Sequence, residues 1–149
     1  MKTLLLLLIS LGSSTAAGKP PTITQRQLIA TTKYWQHVLM LDDWELRTTA
    51  VRLKELDPGT AGNSHIISKY RCLLIHVLDP RDYAAADLAD HLVPKSPKEI
   101  VRDIEDTILH ELLHLRLHEF ATAEVDLDTA EEVAVARLTS SLLAVKHGR

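Results

Sequence analysis

The sequence predicts a small α+β domain, and three observations carry that prediction. Capping boxes at Thr24…Gln27 and Ser96…Glu99 each open a run with helical apolar spacing. Between them lie two β-prone runs, 44–53 and 65–78, parted by the turn-rich stretch Asp57-Pro58-Gly59-Thr60-Ala61-Gly62-Asn63. A third helical run follows from Asp128. The expected layout is a small, mostly antiparallel sheet packed with an N-terminal helix, a helix near 97–118 and a C-terminal helix. All of these belong to one domain over 24–149.

Taken in order, residues 1–17 read as a secretory signal peptide. Lys2 precedes the apolar run from Leu4 to Leu11, and small residues follow to Ala17. The run is too short to span a bilayer as a stable helix. Export, to the periplasm or out of the cell, is therefore expected; the alternatives are an uncleaved anchor, or a start codon assigned too early, which would leave the protein in the cytoplasm. Residues 18–23, with Pro20 and Pro21, form a stiff linker. Thr24 then caps a helix to about Met40, with Ile23 and Leu28 placed as a hydrophobic staple. Residues 65–78 are too long for one ordinary strand, so two strands or one bent strand are expected. The end of that run, Cys72 to Val77, is apolar on both faces, as in a central strand. Cys72 is expected to be a small core residue, since a lone cysteine forms no intrachain disulfide. Tyr83 to His91 reads as a short helix, and 120–128 as an acidic connection.

Composition limits the function classes. At 149 residues and 46% hydrophobic, the chain can bury one core. Aromatics are 4%, so that core must be aliphatic. A formal net charge of −3 without a Lys/Arg cluster argues against nucleic acid as a partner. The oligomeric state is not legible.

The chemistry concentrates in His110-Glu111-Leu112-Leu113-His114. On a helix, residues i and i+4 lie about 6 Å apart along the axis on one face. Two imidazoles so placed can converge on one Zn²⁺, and Glu111 sits one step around the helix, within reach of a water on the metal. At about 100° per residue, Asp103, Thr107 and His114 all fall within about 60° of His110. The histidines thus share a polar strip on an otherwise apolar helix, which points to a site.

A third ligand is required. His118 extends the i, i+4 series, but eight residues rise about 12 Å, too far for one ion. Leu117 and Phe120 stand where a HExxHxxGxxH pattern needs Gly and His, so His118 is expected at the surface. The better candidate lies in the next helix. Glu131 shares a face with Val135, Leu138, Leu142 and Val145, where a buried carboxylate is costly unless it meets a cation. Glu132 points about 100° away and completes a capping box with Thr129. Glu131 is therefore assigned to the metal and Glu132 to the cap, with a plain first-turn glutamate as the alternative for Glu131.

HExxH followed by a glutamate on the next helix resembles the gluzincin zinc metallopeptidases, and in size and layout the chain is similar to their minimal, minigluzincin-like members. The resemblance covers residues 96–146. It implies His110, His114 and Glu131 as zinc ligands, Glu111 as general base, a peptide or protein substrate, and an edge strand that binds substrate backbone. Nothing after Glu131 matches the downstream His, Tyr or Arg that many gluzincins use on the oxyanion. His65, Tyr70 and His76 are candidates for that role or for ordinary strand side chains, and His91 is either near the metal cleft or an exposed helix-end histidine. A non-catalytic zinc site, or an interaction domain without metal, is the alternative.

Overall fold

The structure, a computed structural model, describes residues 21–86, 96–118 and 128–148. Its elements are α1 (Gln25–Val38), β1 (Glu45–Val51), β2 (Gly62–Ile67), β3 (Cys72–Leu78), α2 (Pro97–His118) and α3 (Asp128–His147). This is the small α+β fold that the sequence predicts. The expected signal peptide, most of the linker, His91, most of the short helix after Tyr83, and all but the last residue of the 120–128 connection lie outside the described residues. No helix among those described is long and apolar enough to cross a membrane.

Both capping boxes form. Thr24 and Gln27 exchange hydrogen bonds at the start of α1, and Ile23 packs on the core below Leu28. At α2, the Ser96 N–H and hydroxyl both donate to Glu99 Oε2, at 2.8 and 2.6 Å. The end of α1 is a Schellman turn: Leu41 N–H donates to Gln36 O and Met40 N–H to His37 O. Met40 takes the left-handed position at φ 56°, where glycine is usual.

The sheet order is β1-β3-β2. β3 runs parallel to β1 and antiparallel to β2, so the sheet is mixed rather than mostly antiparallel. The physical reason is chain order: the 52–61 connection leaves a strand-wide gap between β1 and β2, and the β2–β3 hairpin turns back into it. Residues 65–78 do split in two, at a 3₁₀ turn (Ser68–Tyr70) ended by Arg71 in the left-handed region. β3 is the central strand, with Leu73, Ile75 and Val77 completely buried. Cys72 is buried and free, as expected of a small core residue.

Both α1 and α2 cover the same face of the sheet. Leu28, Trp35, Ile104, Ile108, Leu109 and Leu112 join Leu73, Ile75 and Val77 in one core. Each such side chain contributes about 1.5–3 kcal/mol by leaving water. At the α1–β1 contact, Thr32 and Thr48 share a buried hydrogen bond of 2.7 Å. α3 packs antiparallel on α2. Its C-terminal end is tied by Glu105, which accepts from Trp35 Nε1 at 2.9 Å and pairs with Lys146 and His147. The expected face of α3 is only partly the buried one: Val135 is buried and Leu142 packs on the core, but the helix is turned towards Thr139. Val135, Thr139 and Leu143 face inward, whereas Leu138 and Val145 are exposed. Apolar residues ring this helix, so periodicity alone did not single out one stripe.

Candidate metal centre

Rotation of α2 is fixed by its apolar anchors. With Ile108, Leu109, Leu112 and Leu113 buried, His110, Glu111 and His114 are left facing the cleft between α2 and β2. The antiparallel packing of α3 then brings its first turn beside His114, and two adjacent carboxylates arrive with it. A helix N-terminus favours negative charge at that position.

The two imidazoles converge as their i, i+4 spacing requires. His110 Nε2 and His114 Nε2 lie 3.0 Å apart. Nitrogens bonded to one tetrahedral zinc stand about 3.4 Å apart, so little adjustment is needed. Glu132 reaches the same point: its Oε1 is 3.1 Å from His114 Nε2 and its Oε2 3.5 Å from His110 Nε2. One ligand atom from each of His110, His114 and Glu132 falls within 4.8 Å of the others.

Glu131 sits on the other side of the ring. Its Oε1 is 2.9 Å from His114 Nδ1. An ionised carboxylate only accepts, so Nδ1 carries the proton and Nε2 keeps a lone pair for a metal. The sequence assigned Glu131 to the metal and Glu132 to the helix cap. In the structure it is the Glu132 carboxylate that faces the Nε2 pair. The reason is the approach of α3: its first turn straddles the His114 ring, so the half-buried glutamate meets Nδ1 and the more exposed one reaches Nε2. The Thr129 side chain, the proposed partner of Glu132 in a cap, lies outside the described residues.

Glu111 points to β2. The Ser64 hydroxyl donates to Glu111 Oε2 at 2.5 Å. Sequence reasoning missed Ser64 because it ended the turn at Asn63, whereas β2 already begins at Gly62. No local pattern pairs two residues 47 positions apart. The close approach of β2 and α2 does leave a trace in the sequence. A Cβ on Gly62 would stand 2.4 Å from Thr107 Cγ2 and 2.6 Å from the His76 carbonyl oxygen, so only glycine fits.

The cleft has a volume of about 420 Å³. Residues 60–64 form one wall; Asp106, Thr107, His110 and Glu111 form the other, and His114 and Glu132 complete the lining. His65, Tyr70 and His76 do not line it. His65 and Tyr70 are exposed, His76 is half-buried on β3, and His118 is exposed at the end of α2. Along β2, the Ala61 carbonyl accepts from Leu78 N–H. Alternation in an antiparallel pair then turns the backbone groups of Gly62 and Ser64 away from β3, along the edge that no described strand pairs.

The donor set suits zinc: two imidazole nitrogens, one carboxylate, a second carboxylate against one ring, and a cleft beside them. No family model, curated protein or solved structure was found to match this chain.

Proposed function

We propose that this protein is a zinc-dependent hydrolase, a small metallopeptidase in which His110, His114 and Glu132 hold the ion and Glu111 is the general base. One observation carries the proposal: both Nε2 atoms and the Glu132 carboxylate converge beside a cleft that also contains Glu111. Three protein ligands with space beside them make a catalytic sphere, whereas a structural zinc site closes with four.

Zinc held there by His110, His114 and Glu132 would supply Lewis acidity, lowering the pKa of a water towards about 7 and polarising the scissile carbonyl. The chain's own groups do the rest. Glu111 takes the proton of the attacking water and returns it to the departing amine. Glu131 holds the Nδ1 proton of His114 and so keeps its Nε2 free to ligate. The edge of β2 away from β3, at Gly62 and Ser64, offers backbone donors and acceptors to an extended peptide, which argues for a peptide bond as the substrate. Signal-peptide composition over 1–17 supports an exported enzyme.

The test is Glu111→Gln in zinc-loaded protein, assayed on a mixed-sequence library of internally quenched peptides. The variant is expected to keep its zinc and lose hydrolysis by a factor of about 10² or more. Near-wild-type turnover in the variant would remove Glu111 from the role of base. A wild-type protein that binds zinc and cleaves no peptide would favour a non-catalytic zinc module.

A further inference from the structure

We propose that Ser64 is a positioning residue for Glu111, fixing which carboxylate oxygen faces the reaction; this deepens, and rests on, the assignment of Glu111 as base. The Ser64 hydroxyl, 2.5 Å from Glu111 Oε2, is a short hydrogen bond to a charged acceptor. With Oε2 engaged, Oε1 is the oxygen left to receive a proton from the cleft. A glutamate has three rotatable bonds, and without a partner its head would sample several orientations.

Ser64 is itself held firmly. It pairs in register with Ile75, which is completely buried in the central strand. Two residues earlier, Gly62 leaves no space for a Cβ against Thr107 and the His76 carbonyl, so β2 sits close on α2. The serine hydroxyl therefore reports the position of the sheet to the base on the helix. Ser64 also turns its backbone to the edge of β2 away from β3, where substrate would pair. Removing the hydroxyl leaves that backbone intact, so the proposal separates orientation of the base from binding of the peptide.

The experiment compares zinc-loaded wild type, Ser64→Ala, Ser64→Thr and Glu111→Gln, all as full chains. It reads zinc content, kcat and KM on quenched peptides, and the affinity for acetohydroxamic acid, a zinc chelator that binds as its anion and so leaves its hydroxyl proton to the base. Ser64→Ala is expected to lose about tenfold or more in kcat with zinc and KM unchanged, and to bind acetohydroxamate correspondingly more weakly. Ser64→Thr, which keeps a hydroxyl and suits a strand, is expected to restore both. If Ser64→Ala keeps wild-type kcat and acetohydroxamate affinity, or if Ser64→Thr is as impaired as Ser64→Ala, the positioning role is overturned. Loss of zinc in Ser64→Ala would overturn it too, by making the contact a structural staple. If Glu111→Gln matches wild type in both readouts, the assignment of the base fails instead. Because acetohydroxamate binding needs no turnover, the two failures stay distinguishable without a known substrate.

Discussion

Glu131 and His114 form a carboxylate–imidazole pair, Oε1 to Nδ1 at 2.9 Å, on the side of the ring away from His110. That contact gives two neighbouring glutamates different tasks. Glu132 meets the Nε2 atoms of His110 and His114, and Glu131 meets the Nδ1 of His114 from the other side.

Glu131→Gln is therefore expected to weaken zinc binding without abolishing it. Partners in this outer position are worth about 10–100-fold in metal affinity. Competition with a chelator of known zinc affinity measures the change. Complete loss of zinc would return Glu131 to the ligand set.

Gly62→Ala is expected to destabilise the fold. The new Cβ meets Thr107 Cγ2 at 2.4 Å and a backbone oxygen at 2.6 Å, and the backbone contact has no rotamer to relieve it. Overpacking of this kind costs about 1–3 kcal/mol. Urea unfolding gives the value, and a neutral result would mean that β2 and α2 are less closely apposed.

Met40→Gly acts in the opposite direction. Met40 holds φ 56° at the end of α1 and is 74% exposed, so the side chain contributes little packing to offset the left-handed strain. A glycine there is expected to raise stability by about 0.5–1 kcal/mol. The same denaturation assay tests this; a destabilised variant would show that Met40 packs in solution.

Acid is expected to weaken the fold through Asp82 and Asp79. Arg52, and then the Leu53 N–H, hold the Asp82 carboxyl below its ordinary value of 3.8. Arg81 does the same for Asp79. A carboxylate with a depressed folded pKa stabilises fully above its unfolded pKa, and that contribution is lost as pH falls through the folded value. Stability should thus hold near neutrality and decline below about pH 4. Arg52→Met should be destabilised at neutral pH, since it strands a buried carboxylate, and should lose less on acidification. Unfolding curves at about pH 7 and about pH 3 compare the two proteins. An equal acid loss in both would remove this pair from the account.

Much of this architecture was legible in local chemistry. The capping boxes at Thr24 and Ser96 located two helix starts because their signal is contained in four residues. Cys72 to Val77 announced a central strand because both faces are apolar. The i, i+4 spacing placed His110 and His114 on one face of α2 for the same local reason. What was not legible depends on packing between distant segments. Burial could not tell Glu131 from Glu132, because α3 straddles His114 and both glutamates reach the ring. The inward face of α3 escaped periodicity because Leu138 and Val145 match the helical repeat as well as Thr139 and Leu143 do. The Ser64–Glu111 contact exists only because β2 inserts its N-terminal end against α2, a consequence of tertiary structure and not of any motif.

Zinc stoichiometry of wild type and Glu132→Ala, prepared side by side and measured by elemental analysis, tests the central claim most directly. The account predicts about one zinc per wild-type chain and little in the variant. No zinc in wild type after reconstitution, or full zinc in Glu132→Ala, would contradict it.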